Sequence, residues 1–422
     1  KASIEAAMRL GATDFVAKPF TPTELVARLN ALGLIQKTNN TNESLSKTQR
    51  SSSFDSHTNQ PVQNKAEKKP IRLLLVDDSA AIRGILSKTL RDIPGIKVIG
   101  TAADGEKALT FLEKEQVDIV LLDIEMPVMD GIETLHRIRE KYSRLPVVMF
   151  SSLTERGAKA TLEALVAGAN DYVAKPTATD NDSIVTRIES ELVPKLRAVY
   201  RPPGTKKECG NHTASTKSPI QSRWTKKSQN ISVIVIGVST GGPSALAEIL
   251  PHLTVADAPP IVVVQHMPKE FTGHLAERLS KMCKHRVSEA SHGQALQPEH
   301  IYLAPGGSHL EIQKRGKAFI LALHNGPPEN SCRPSADVLF RSAAKIFHSD
   351  TLALVLTGMG NDGLQGCQMI ASEGGVVIAQ DEPSSVVWGM PGHVVRAGLA
   401  DAVLSLDRVG PDIAMRIRRQ QQ

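Results

Sequence analysis

The chain contains no apolar run of 18 or more residues, so no transmembrane helix is expected. No basic stretch leading into a short apolar one opens it, which leaves no secretory signal to read. It begins at Lys1 rather than Met, as a fragment or a misplaced start would. Aromatic residues are sparse. The four cysteines, Cys209, Cys283, Cys332 and Cys367, lie far apart and never in C-x-x-C spacing. That excludes a zinc knuckle built on paired cysteines and fits free thiols in a reducing cytoplasm. A net charge of +6 hints at nucleic acid. Much of the excess, however, sits at Lys65, Lys68, Lys69, Lys206, Lys207, Lys226 and Lys227, in polar stretches that read as solvated linkers rather than a binding surface.

The 422 residues leave room for two or three domains. Two composition breaks, at 36–70 and 196–230, are rich in polar residues and too poor in apolar ones to offset their ordering entropy. Between them, 71–195 alternates short apolar runs (Arg72–Val76, Val98–Ala102, Ile119–Leu122, Val147–Phe150, Asp171–Val173) with amphipathic helices such as Ala80–Leu90 and Gly105–Glu115. Residues 231–419 repeat the pattern, with strands expected at Ser232–Gly237, Ile261–Gln265, His300–Ala304, Ala353–Thr357 and Gly375–Ala379. Continuous apolar strands separated by helices predict α/β units whose parallel sheets are covered on both faces. Leu10–Phe20 echoes Val166–Thr177, so 1–35 reads as the helix–strand–helix end of a truncated second copy, inactive alone.

Functional groups of an open parallel sheet gather at the carboxyl ends of its strands. In 71–195 these ends carry Asp77, Asp78, Asp123, Ser151 and, before Pro176, Lys175. Three converging carboxylates repel one another, and a hard cation such as Mg2+ would relieve them. Asp123 could then attack a phosphoryl donor, with Lys175 and Ser151 contacting the phosphoryl oxygens. Asp78-Ser79 could instead be an ordinary helix cap. The segments Val76–Ser79, Asp123–Gly131, Ser151 and Tyr172–Pro176 resemble the response-regulator receiver family, over the whole of 71–195. The resemblance implies a flavodoxin-like fold, Asp123 as phospho-acceptor, a magnesium site at Asp77, Asp78 and Asp123, and Ser151 and Tyr172 as switch positions. The N-terminal echo keeps Lys18-Pro19 but has no acceptor aspartate.

In 231–419, Gly237-Val238-Ser239-Thr240-Gly241-Gly242 links an apolar strand to a helix over Pro243–Leu253. It satisfies G-x-S-x-G, a turn that presents a serine hydroxyl; a phosphate-binding loop is the competing reading. The next strand ends in Gln265-His266, not in the acidic residue a dinucleotide site would place there, and no P-loop motif occurs. A histidine at a neighbouring strand end is what general-base activation of Ser239 needs. Asp362, in the glycine-rich turn Gly358–Gly363, can hold one ring nitrogen of His266. The order Ser, His, Asp disfavours the α/β-hydrolase fold.

Gly237–Gly242, Gln265–Pro268, Tyr302–Gly307, Arg333–Asp337 and Thr357–Gly363 resemble the catalytic domain of the chemotaxis protein-glutamate methylesterase (CheB) family, and an upstream receiver is that family's arrangement. The resemblance implies a doubly wound, mainly parallel methylesterase domain with Ser239 as nucleophile, His266 as base and Asp362 as orienter. Thr240 supports them and the Met359 backbone N–H serves as oxyanion donor. It implies no cofactor for the esterase, glutamate methyl esters and glutamines of methyl-accepting chemoreceptors as substrates, and the histidine kinase of the chemotaxis system as phosphodonor. A cytoplasmic location is expected, with no nucleic-acid partner and no direct membrane insertion. A further expectation is that the unphosphorylated receiver covers the Ser239 mouth. A non-catalytic signalling module would leave Ser239, His266 and Asp362 as coincidences, and a receiver-controlled transcription factor would need a basic recognition helix that is not evident.

Overall fold

A computed structural model describes residues 69–152, 154–175, 184–202 and 230–420. The expected partial copy at 1–35, and most of both polar stretches, lie outside the described residues.

The first unit is a five-stranded parallel sheet in the order β2-β1-β3-β4-β5. Its strands are β1 (Ile71–Val76), β2 (Ile96–Ala102), β3 (Ile119–Asp123), β4 (Val147–Ser151) and β5 (Asp171–Ala174). The connecting helices are α1 (Ala80–Arg91), α2 (Gly105–Lys114), α3 (Gly131–Lys141) and α4 (Glu155–Val166). Each starts on a side-chain cap: Ser79 accepts from Ile82 N, Asp104 from Lys107 N, Asp130 from Glu133 N and Thr154 from Gly157 N. Such caps contribute about 1 kcal/mol each by satisfying otherwise orphaned N–H groups. Ser79 is therefore a cap, as the local reading allowed, while Asp77 accepts from Ser79 N through Oδ1 at 2.9 Å and keeps Oδ2 toward Lys175 in the strand-end cluster. The last helix, α5, runs from Ile184–Arg187 through a π-helical turn at Ile188–Leu192 into Val193–Val199. It buries Leu196 and Val199, within the first four residues of the stretch expected to be polar linker.

The second unit is a seven-stranded sheet in the order β14-β13-β12-β6-β7-β9-β8, parallel throughout. It comprises β6 (Val233–Val238), β7 (Ile261–Gln265), β8 (Arg286–Glu289), β9 (His300–Leu303), β12 (Thr351–Val355), β13 (Val376–Gln380) and β14 (Ala402–Leu404). An antiparallel hairpin, β10 (His309–Arg315) with β11 (Ala318–His324), packs outside it. Helices α6 (Gly242–Leu253), α7 (Lys269–Ser280), α8 (Ala336–Phe347), α9 (Leu364–Ser372), α10 (Met390–Arg396) and α11 (Leu406–Gln420) cover the sheet. Every residue of β6, β7, β12 and β13 is buried, as apolar runs sandwiched between helix layers must be. Because β12, β6 and β7 are adjacent, the turns leaving their carboxyl ends meet above one edge of the sheet. None of the described helices is long and apolar enough to cross a membrane.

Candidate active site

The turn after β6 presents Ser239. Gly241 adopts φ +78°, and a Cβ there would strike Val386 at 2.6 Å, so only glycine fits. Ser239 itself has no positive φ, unlike a strained nucleophile elbow. Its carbonyl accepts from Gly242 N at 2.8 Å and from Gln265 Nε2 at 3.0 Å, which ties the elbow to the end of β7. His266 follows Gln265, with its N–H donated to Val238 O at 3.1 Å. Thus the sheet ladder, together with the Gln265 side chain, brings the two strand ends together.

Asp362 leaves the loop after β12 and is buried. Its Oδ2 lies 2.7 Å from His266 Nε2 and accepts from Ala336 N at 2.6 Å. Its Oδ1 accepts from Ser335 Oγ at 2.7 Å, Asn330 Nδ2 at 3.0 Å and Asp337 N at 3.2 Å. So many donors, together with His266, hold this carboxyl well below its ordinary pKa although burial opposes ionisation. Burial alone would depress His266, but the Asp362 carboxylate and the Cys332 thiol beside it outweigh that and raise it to about 10. Neighbouring Asp337, pushed up by burial and by Asp362, receives bonds from Gly366 N and Asn330 Nδ2.

Ser239 and His266 line one cleft. Among the described residues no hydrogen bond joins Ser239 Oγ to the ring; Nδ1, the nitrogen not facing Asp362, lies instead 3.5 Å from Cys332 Sγ. Behind Ser239 runs the Gly358–Gly360 loop, where a Cβ on Gly358 would come within 2.8 Å of Ser239 Cβ. The Met359 N–H makes no hydrogen bond among the described residues, so it is available to a nearby oxygen. Thr240 is buried, and its carbonyl accepts from Thr357 Oγ1 at 2.9 Å.

The far wall of this cleft belongs to the first unit: Leu165, Asp171, Tyr172 and Lys195. Thr240 Oγ1 donates to Asp171 Oδ2 at 2.7 Å, and Ser244 Oγ donates to Leu165 O at 2.6 Å. The Tyr172 ring meets fully buried Phe271 of α7 with centroids 4.8 Å apart, a tilted pair contributing about 1 kcal/mol beyond its buried area. Lys195 Nζ lies over the same ring at 4.9 Å and within 3.3 Å of Asp171 Oδ1. Arg201 Nη2 donates to Ser385 O across the seam.

At the opposite end of the first sheet, Lys175 Nζ stands 2.7 Å from Asp123 Oδ2 and 3.0 Å from Asp77 Oδ2. Burial, aided by Asp77, raises Asp123 to about 6 despite that lysine. Lys175 is itself raised, because the two carboxylates outweigh its own desolvation. Asp77, Asp78 and Asp123 each place an oxygen within 4.8 Å of the others, a hard-oxygen donor set suited to a small divalent cation. Ser151 is buried with its hydroxyl turned into α4, toward Gly157 O at 3.3 Å, and receives Thr161 Oγ1 at 2.6 Å. Contact with a phosphoryl oxygen would require it to turn back.

The response regulator receiver domain model matches residues 73–189, and the CheB methylesterase model matches 234–413. A protein-glutamate methylesterase/protein-glutamine glutaminase of Trichodesmium erythraeum is 44% identical over 350 residues, covering 82% of this chain and 99% of that protein. The chain belongs to the CheB methylesterase family. A namesake from a Nocardioides species is 44% identical over 353 residues, 83% of this chain and 96% of its own. One from Azospirillum brasilense is 39% identical over 365 residues, covering 82% and 92%. The first unit is thus a receiver with the 2-1-3-4-5 flavodoxin-like order, and the second carries the CheB-type fold. Sequence reasoning missed Asn330, Ser335 and Cys332 as neighbours of the dyad, and Asp171 and Phe271 as seam contacts. Arg333–Asp337 had marked the first neighbourhood without giving it a role.

Proposed function

We propose that this CheB-family chain hydrolyses glutamate methyl esters on methyl-accepting chemoreceptors, and deamidates receptor glutamines, under control of its receiver. The carrying observation is the cleft shared by Ser239 and the His266–Asp362 pair, closed on one side by Asp171 and Tyr172.

The contact between Nε2 and Asp362 supports one assignment of the protons. With Asp362 ionised, Nε2 carries the ring proton toward it, so Nδ1 is the nitrogen that accepts from Ser239. Ser239 Oγ attacks the ester carbonyl as its proton passes to Nδ1. The Met359 N–H donates to the oxyanion. Collapse expels methanol, which leaves with the proton from Nδ1, and water then attacks the acyl-serine by the same route to free the glutamate. A primary amide follows this path with ammonia leaving. Asp362, fixed by four other donors, keeps the ring in one orientation throughout.

Asp77, Asp78 and Asp123 would hold Mg2+, which supplies charge neutralisation while Asp123 takes a phosphoryl group from the histidine kinase. Lys175 pairs with the acceptor in the resting state. Phosphorylation draws Ser151 and Lys175 toward the new oxygens and loosens the Tyr172–Asp171 face from Thr240 and Phe271. The enzyme works in the cytoplasm in chemotactic adaptation. Methanol release from methylated receptor membranes tests the reading: Ser239→Ala should abolish it, and Asp123→Asn should remove only its stimulation by a phosphodonor. Full activity of Ser239→Ala would overturn the nucleophile assignment.

A further inference from the structure

One contact to the dyad has no part in the hydrolysis above. Cys332 Sγ sits 3.5 Å from His266 Nδ1, and its position is fixed by a turn held at both ends. Glu329 and Cys332 exchange backbone bonds of 3.1 and 2.8 Å around Asn330 and Ser331, whose φ values of 50° and 62° make a left-handed two-residue turn. Asn330 Nδ2 fastens the turn to Asp337 Oδ2 at 2.8 Å and to Asp362 Oδ1 at 3.0 Å. Arg341 Nη2 grips Glu329 through both carboxylate oxygens, at 2.7 and 2.8 Å. The thiol is half-buried and the His266 side chain 12% exposed, so a small ion can reach both.

We propose that Cys332 and His266 form a two-ligand clamp for a soft divalent cation of the zinc class, which switches the esterase off by occupying the base nitrogen. The inhibitory consequence rests on the reading of His266 as general base; the binding does not. Thiolate with imidazole is a set that zinc prefers and that magnesium, a hard oxygen-seeking ion, does not. Zinc bonds of about 2.3 Å to sulfur and about 2.0 Å to nitrogen, at a tetrahedral angle, place the two ligand atoms roughly 3.5 Å apart. That is the spacing found. The other ring nitrogen already faces a carboxylate, Asp362 Oδ2 at 2.7 Å, the arrangement that orients metal-binding histidines and raises their basicity. Asp362 is itself saturated by Ser335, Ala336, Asp337 and Asn330, so it serves as orienting partner rather than ligand. Two protein ligands leave the remaining positions to water, which makes the site reversible rather than structural. On binding, the Cys332 thiol proton and the Nδ1 proton of an imidazolium His266 both pass to solvent, Nε2 keeps its proton toward Asp362, and the cation takes the thiolate and the freed Nδ1 lone pair. While it stays, Nδ1 cannot accept the Ser239 proton.

The test uses the full chain with Zn2+ held in a chelator-buffered series. Wild type is compared with Cys332→Ser and Cys332→Ala in equilibrium competition against a chromogenic zinc chelator. The esterase rate is followed in parallel, each variant relative to its own metal-free rate. Both variants should lose one zinc equivalent, and the zinc concentration giving half inhibition should rise about tenfold or more. Mg2+ alone should not inhibit, and a chelator should restore the wild-type rate. Equal zinc stoichiometry and equal inhibition in wild type and both variants would overturn the proposal. If the metal-free chain shows no esterase activity, the functional reading fails and the chelator competition decides the clamp by itself.

Discussion

Asp171→Ala tests the seam with a residue that belongs to the receiver and touches no reacting group. In the structure Asp171 Oδ2 accepts the Thr240 hydroxyl at 2.7 Å, with both residues about 95% buried. A hydrogen bond to a charged acceptor contributes about 1.5–3 kcal/mol net. Ser244–Leu165 and Tyr172–Phe271 remain, so the closed form weakens without vanishing. Each 1.4 kcal/mol is about tenfold in the open-to-closed ratio. The unphosphorylated variant should therefore hydrolyse ester at least about tenfold faster than wild type, up to the rate of a fragment comprising 230–422. Its rate with phosphodonor should match the wild-type phosphorylated rate. The assay is methanol release from methylated receptor membranes with and without acetyl phosphate. Thr240→Val should raise the basal-to-stimulated ratio similarly, and the double variant should add little, because both remove one bond. A variant whose basal rate equals that of wild type while phosphodonor still stimulates it would refute the latch.

Two other predictions concern charge. Asp123 has its folded-state pKa raised from 3.8 to about 6, so its ionisation opposes folding. The receiver should lose stability as pH rises from about 4 to about 6 and stay low above that. About two pH units correspond to roughly 3 kcal/mol, an upper bound because Lys175 loses a partner on substitution. Asp123→Asn should stabilise the receiver by about 2–3 kcal/mol at pH 7 in metal-free urea titrations and by almost nothing at pH 4; equal stability at pH 7 would refute the account. His266, raised to about 10, must be neutral to act, so basal kcat/KM of the closed chain should climb with pH toward that value. If phosphorylation opens the seam as proposed, water entering the cleft would weaken the hold of Asp362, and the profile should move to lower pH; identical profiles in the two states would argue against the assignment.

The apolar runs that became β1, β3, β4, β6, β7 and β12 were readable because strands buried on both faces need no alternation to be recognised. Their carboxyl-end residues were readable for the same reason: once a parallel sheet is inferred, Asp123, Ser239 and His266 can only sit at its functional edge. The β10–β11 hairpin was overlooked although Gly316-Lys317, with Gly316 at φ 63°, sits between two half-polar runs as a turn signal. Strands β8 and β14 are too short to show a period. The dyad's surroundings were hidden by chain separation. Cys332 and His266 lie 66 positions apart, and Thr240 and Asp171 lie 69 apart across two separately folded sheets. Neither proximity has a local sequence signature, since each depends on how finished surfaces pack. The pairing of Nε2, rather than Nδ1, with Asp362 was likewise beyond any motif.

Strand β5 is only four residues long, from Asp171 to Ala174, with Lys175 immediately after it. Its first residues contact the second unit, and the residue past its last one stands over Asp123. At about 3.3 Å per residue the two tasks are roughly 13 Å apart on one extended backbone. If phosphorylation acts as proposed, such a segment would serve as a short stiff link between the two ends. On the proposed mechanism, a pull on Lys175 would reach the cleft along this backbone, without a relay of intermediate side chains.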